Sequence, residues 1–148
     1  MPKVLVVHGP NLNLLGIREP GVYGSTTLDE INKMLREEAV RLGLEIETFQ
    51  SNIEGEMVEA IHGALGTADV IILNPAGYTH TSVVLRDAIQ AVRLPTIEVH
   101  LSNIYAREEF REKSITARAC VGTISGFQAK SYILALQAAK YLIEQKPE

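Results

Sequence analysis

Residues 27–49, TLDEINKMLREEAVRLGLEIETF, hold a complete helix and the strand that follows it. Thr27 with Glu30 three residues on has the pattern of a capping box, Leu28, Ile31, Leu35, Ala39 and Leu42 recur at helical spacing, and Gly43 suits a left-handed C-cap. At Leu44–Phe49 the pattern changes to that of a strand. Working outward, Lys3–His8, Val70–Asn74, Thr96–His100 and Ala119–Ile124 read as four more strands. Helical patterns fill most gaps: about Glu54–Leu65 with Gly66 behind it, Thr81–Val92, a short one around Arg107–Arg111, and Phe127–Glu144.

Strands that are apolar almost throughout, alternating with helices, belong to a parallel sheet covered on both faces. The expectation is therefore an α/β protein of three layers, doubly wound, and five strands suggest a flavodoxin-like order. The 148 residues, 46% of them hydrophobic, suit one domain over 1–148 with a core that needs neither disulfide nor metal. The single cysteine, Cys120, excludes a disulfide framework within the chain and points to a reducing, cytoplasmic setting. Only a short apolar run follows Met1, Pro2 and Lys3, which fits neither a signal peptide nor a membrane span. With net charge −4 and interspersed signs, no footprint for nucleic acid or an anionic membrane is visible.

In open α/β sheets the ligand sits beyond the carboxyl ends of the strands. His8 and Asn11 follow the first strand, Asn74 and His80 the third, and His100, Ser102 and Asn103 the fourth. The loop His8–Gly24, HGPNLNLLGIREPGVYG, is long for a compact domain and is punctuated by Gly and Pro, as binding loops and lids are. Within it Tyr23 lies five residues after Arg18, and a guanidinium near a phenol favours the phenolate a base requires. His100 ends the fourth strand with Glu98 two residues earlier on the same face, placed to orient the imidazole. Asn11, Asn13 and Asn74 supply amide dipoles for a polyol or an oxyanion. Arg107 and Arg111, one helical turn apart, could grip a carboxylate.

Each of these also has a structural explanation. Arg18 could pair locally with Glu19, His100 and Glu98 could bond nearby backbone, Asn74 precedes Pro75 as turn residues do, and the arginines could pair with Glu108 or Glu112. Thr79 or Thr81 could cap the next helix, which leaves His80 unexplained. The four histidines show no ligand spacing such as HExxH, and one cysteine supplies no CxxC, so no metal is expected. No GxGxxG or GxxxxGK follows a strand, so no nucleotide cofactor is expected. A flavodoxin-like module binding flavin or nucleotide stays as an alternative that lacks a phosphate loop.

Three segments in order, GPNLNLLGIREPGVYG (9–24), NPAGYTHTSVVLRDAI (74–89) and EVHLSNIYAREEFR (98–111), resemble the type II 3-dehydroquinate dehydratase family nearly end to end. The resemblance implies a flavodoxin-like fold and a shikimate-pathway lyase, without cofactor or metal, that assembles as trimers into a dodecamer. The type I enzymes of that name are excluded by size, since their barrel needs about 250 residues.

By the same resemblance Tyr23 is the base, Arg18 the lid arginine that favours its phenolate, and His100 the general acid. Asn11 is implied to hold a water against the enolate. Asn74, His80, Arg111 and the Leu101–Ser102 backbone are implied to bind the substrate 3-dehydroquinate, with Asp87 supplied by a neighbouring subunit. Gln128, in SGFQAKSY, stands where the family pattern has a glycine, which puts the turn before the last helix in question.

Overall fold

The computed structural model describes residues 1–17, 19–111 and 113–145. Five parallel strands, β1 (Lys3–His8), β2 (Glu45–Gln50), β3 (Val70–Asn74), β4 (Thr96–His100) and β5 (Gly122–Ser125), lie in the order β2-β1-β3-β4-β5. The helices are α1 (Pro20–Tyr23), α2 (Leu28–Leu42), α3 (Glu54–Gly63), α4 (Val83–Val92) and α5 (Lys130–Gln145).

Alternation of side chains along each strand divides the core in two. Val4, Val6, Val70, Ile72, Ile97 and Val99 pack against Ile31 and Leu35 of α2 and Tyr132 and Leu136 of α5. Leu5, Val7, Ile71 and Leu73 point the other way, onto Met57 and Ile61 of α3 and Leu85 and Ile89 of α4. This is the three-layer, doubly wound arrangement expected from the nearly continuous apolar strands. Because β1 is followed by β2 on one side and β3 on the other, the order reverses between β1 and β3, and a crevice opens there beyond the strand ends.

Helix α2 ends as its sequence predicts. The Glu30 N–H donates to Thr27 Oγ1 at 3.2 Å, and Gly43, at φ 72°, lets the Leu44 N–H reach back to the Ala39 carbonyl at 2.8 Å. The Glu30 carboxylate completes the cap through the Thr27 hydroxyl, at 3.1 Å, rather than the backbone.

Other boundaries move for identifiable reasons. Helix α4 begins at Val83 and is capped by Ser82, whose Oγ accepts from the Leu85 N–H at 3.0 Å, whereas Thr79 is buried in a hydroxyl cluster. Strand β5 starts at Gly122, because Thr116–Ala119 form a 3₁₀ turn that packs Ala119 and Cys120 against the α3–α4 side of the core. Helix α5 starts at Lys130 and not Phe127, because Gln128 has φ 51° and cannot continue a right-handed helix. That is the conformation in which a glycine would be at ease. The Gln128 side chain lies against Gly24 instead, where an added Cβ would meet its Oε1 at 3.0 Å.

Burial has one titratable consequence at the end of β1. His8 is fully buried, and desolvation lowers its pKa from 6.5 to about 4, with the bond to Asn32 opposing in part. The unfolded chain takes up that proton near pH 6.5 and the fold only near 4, so stability is unaffected above pH 6.5 and falls as pH drops through this window. The loss reaches about 3 kcal/mol by pH 4. Urea titrations at pH 7 and 4.5 should show it, and His8→Asn should flatten the difference.

Candidate active site

A pocket of about 190 Å3 opens at the β1–β3 crevice, lined by residues that follow β1, β3 and β4. It brings together Asn11, Tyr23, Asn74, His80, His100, Leu101, Ser102, Arg107 and Arg111. Among the described residues its lining carries two arginines and no carboxylate, which suits a small anionic ligand.

The loop after β1 is anchored at its start by two backbone donors. The Gly9 N–H donates to the Asn74 carbonyl at 2.8 Å, and the Asn11 N–H to Asn52 Oδ1 at 2.9 Å. Asn11 takes a left-handed conformation, φ 69°, that asparagine tolerates. Leu12 and Leu15 then sink into the α2–α5 side of the core. The segment is not the unstructured connection its composition suggests: Leu12–Leu14 form a 3₁₀ turn and Pro20–Tyr23 a turn of α-helix that carries Tyr23 inward.

Gly9 touches the neighbouring strand end so closely that a Cβ there would lie 2.8 Å from the Asn74 oxygen and 2.9 Å from the Pro75 carbonyl atoms. Backbone cannot retreat as a side-chain tip can, so Gly9→Ala should destabilise the fold by about 2 kcal/mol in denaturant titrations.

Tyr23 is almost fully buried, and its hydroxyl oxygen accepts a hydrogen bond from Arg107 Nη1 at 2.7 Å. The same guanidinium lies 5.1 Å from the centre of the tyrosine ring and pairs with Glu19 at 3.5 Å. A guanidinium has only donors, so the phenol oxygen is the acceptor in this contact. Arg18 lies outside the described residues. The sequence reading missed Arg107 as a partner of Tyr23, since the two are 84 residues apart. The available clue was that Arg107 follows β4, whose end faces this loop.

His100 is held from behind. Its Nε2 donates to Glu98 Oε2 at 2.8 Å, and Glu98 also accepts from the hydroxyls of Ser114, at 2.8 Å, and Thr116. Thr79 joins this cluster through Ser114 at 2.6 Å and Thr116 at 2.8 Å. Burial alone would raise the Glu98 carboxyl. The bond and charge of His100, with the two hydroxyls, outweigh it and hold the group below the usual carboxylate range. Glu98 therefore holds the proton on Nε2 and leaves Nδ1 as the position at which the ring can exchange a proton.

His80 donates from Nδ1 to the Lys113 carbonyl at 2.7 Å and meets the Phe110 ring edge-on. Arg111 pairs with Glu108 at 2.6 Å and lies over the Phe110 ring at 4.8 Å, while Glu112 lies outside the described residues. The short helix expected there is two 3₁₀ turns, Ile104–Ala106 and Glu109–Arg111. Asp87 is not in this pocket. It sits exposed on α4, 3.8 Å from Arg86.

A larger groove, about 750 Å3, runs between β2 and α3 over Leu5, Phe49, Ile53 and Ala60. Its ionisable groups are Glu47, Glu56 and Glu59, carboxylates set along an apolar floor. It has no counterpart of the Tyr23–Arg107 and Glu98–His100 pairs. Among the described residues no cluster of His, Cys, Asp or Glu could hold a metal, and no helix is long and apolar enough to cross a membrane.

Fold and pocket together define a class: a flavodoxin-like α/β protein with a tyrosine–arginine pair and a carboxylate-held histidine at its topological switch point. The sequence pattern of the family "Dehydroquinase class II" matches residues 2–140, and the chain belongs to that family. It is 57% identical over 145 residues to a 3-dehydroquinate dehydratase of Caldicellulosiruptor bescii, covering 97% of this chain and 100% of the relative. To one of a Nostoc species it is 62% identical over 135 residues, 91% of this chain and 92% of the relative. The crystal structure of the type II dehydroquinase from Butyrivibrio crossotus superposes with a TM-score of 0.92 at 42% identity, covering 93% of this chain and 97% of that one.

Proposed function

We propose that this protein, acting as one domain over 1–148, is a shikimate-pathway dehydratase that converts 3-dehydroquinate to 3-dehydroshikimate and water. The observation that carries this is the convergence in one pocket of a phenol oxygen bonded to a guanidinium and an imidazole bonded to a buried carboxylate. The hydrogen to be removed lies beside a ketone and is weakly acidic, so the reaction needs a base that can be anionic and a stabilised enolate.

Tyr23, as phenolate, takes that proton, and the C–H electron pair becomes the enolate. Arg107 donates to the Tyr23 oxygen, and Arg18, as the resemblance implies, favours the phenolate. Asn11 holds a water against the enolate oxygen. The enolate then reforms the ketone as the carbon–carbon double bond forms and the carbon–oxygen bond breaks, and the hydroxyl leaves as water with a proton from His100 Nδ1 while the Nε2 proton stays with Glu98. No metal or cofactor enters these steps.

The substrate carboxylate is assigned to Ser102 and the Leu101–Ser102 backbone, and its remaining oxygens to Asn74, His80 and Arg111. Asp87 reaches the pocket of a neighbouring copy. Exposed Val83 and Val84 on the same helix suit such a contact, within trimers that build a dodecamer. The setting is cytoplasmic.

The test is to mix metal-stripped protein with 3-dehydroquinate and follow the absorbance of the conjugated enone. Formation of product is expected, and no signal before or after metal removal would reject the reading. A binding module for flavin would instead give a thermal shift with flavin and no enone.

A further inference from the structure

His8 is used by none of these steps, yet it is fully buried one residue before the loop that carries Asn11 and Tyr23. Its partners form a chain that ends at the pocket. His8 Nε2 lies 2.8 Å from Asn32 Oδ1 and His8 Nδ1 2.8 Å from the Tyr132 hydroxyl. That hydroxyl lies 3.0 Å from Asn74 Nδ2, and Asn74 Oδ1 lies 3.0 Å from the Ala76 nitrogen. Tyr132 is fully buried and Asn74 nearly so.

The directions follow from the one donor in this chain that cannot be reassigned. The Ala76 N–H can only donate, so Asn74 turns its oxygen to Ala76 and its nitrogen to Tyr132. The Tyr132 oxygen therefore accepts from Asn74, and its own buried proton, whose remaining partner among the described residues is His8 Nδ1, goes to that nitrogen, which is then bare. His8 then carries its single proton on Nε2 and donates to Asn32 Oδ1. The strong burial of His8 keeps the ring neutral, as this pattern requires. Asn32 on α2, His8 on β1 and Tyr132 on α5 thus impose one orientation on an amide at the end of β3.

Asn74 has one N–H committed to Tyr132 and its oxygen committed to Ala76, which leaves its second N–H as the polar hydrogen for the pocket it lines. We propose that Asn32, His8 and Tyr132 are positioning residues that lock Asn74 as a donor, so that the site selects a ligand oxygen with free lone pairs at that point and disfavours a group that can only donate. This rests on the dehydratase reading for the identity of the ligand, but not for the direction of the chain.

Two experiments test it. In ¹⁵N spectra of the wild-type protein at neutral pH, His8 should show a protonated Nε2 and an unprotonated Nδ1; the opposite tautomer, or a doubly protonated ring, would overturn the proposal. In the enone assay, Tyr132→Phe and His8→Leu should each raise KM for 3-dehydroquinate about tenfold with kcat within twofold. His8→Asn, whose amide oxygen can replace Nδ1 as acceptor, should keep KM within twofold of wild type.

An unchanged KM in Tyr132→Phe, or His8→Asn no better than His8→Leu, would overturn the relay. So would a parallel loss of kcat and melting temperature in all three variants, because that is what a merely structural role produces. If the wild-type protein forms no enone, the dehydratase reading fails, and the tautomer measurement still decides the direction of the chain.

Discussion

Replacing Tyr23 by phenylalanine should lower kcat about a thousandfold, the cost of losing the proposed general base, while leaving the melting temperature almost unchanged. The ring is 8% exposed and packs into the core beside Leu12 and Leu15, contacts that phenylalanine keeps. Only the oxygen that accepts from Arg107 is lost. That partner stays half-buried and keeps its pairing with Glu19 at 3.5 Å, so it is not stranded as an isolated charge. Steady-state kinetics with thermal melting separate the two effects. Activity within tenfold of wild type would remove Tyr23 from the base role, whatever the stability.

The second large effect is expected at His100. His100→Ala should reduce kcat by about three orders of magnitude, because on the proposed mechanism the departing hydroxyl then lacks its proton donor. Glu98→Gln is the sharper probe. The carboxylate accepts from His100, Ser114 and Thr116 together, and an amide has one oxygen where these donors need two. The glutamine nitrogen faces either Thr116 or His100 and Ser114 together, and in the second case the imidazole Nε2–H loses its acceptor. A loss of about a hundredfold in kcat with little change in KM is expected, since the pocket wall itself is unaltered. Near-normal kcat in Glu98→Gln would mean that the carboxylate only fills space behind the ring.

Much of this was legible in the sequence, and what was not shares one cause. Helix α2 could be bounded because capping at Thr27 and Gly43 is local. The layer arrangement followed from strands whose residues are buried on both faces. The start of α5 falls three residues after the expected Phe127, because composition gives no sign of a glutamine in a left-handed turn; only the family's glycine at that position pointed there. The helical turns inside the long loop were hidden as well, because their stability comes from Leu12, Leu15 and Tyr23 sinking into the core and not from periodicity.

The same division holds in the pocket. Glu98 and His100 could be paired because strand alternation fixes residues two apart on one face. The hydroxyls of Ser114 and Thr116, the guanidinium of Arg107 and the phenol of Tyr132 come from 16 to 124 residues away from their partners, and spacing carries no information about such contacts. The arginine nearest to Tyr23 in sequence was the natural expectation. The described structure adds one that the chain brings back only after β4.

On the proposed mechanism, removal of the carbon-bound proton by Tyr23 is a step distinct from loss of the hydroxyl aided by His100. The measurement that tests this division most directly is proton NMR of 3-dehydroquinate incubated with His100→Ala in D₂O, alongside Tyr23→Phe. With His100→Ala, deuterium should enter the position beside the ketone faster than without protein while no enone appears; with Tyr23→Phe, neither should occur. Exchange retained in Tyr23→Phe, or absent in His100→Ala, would contradict the assignment.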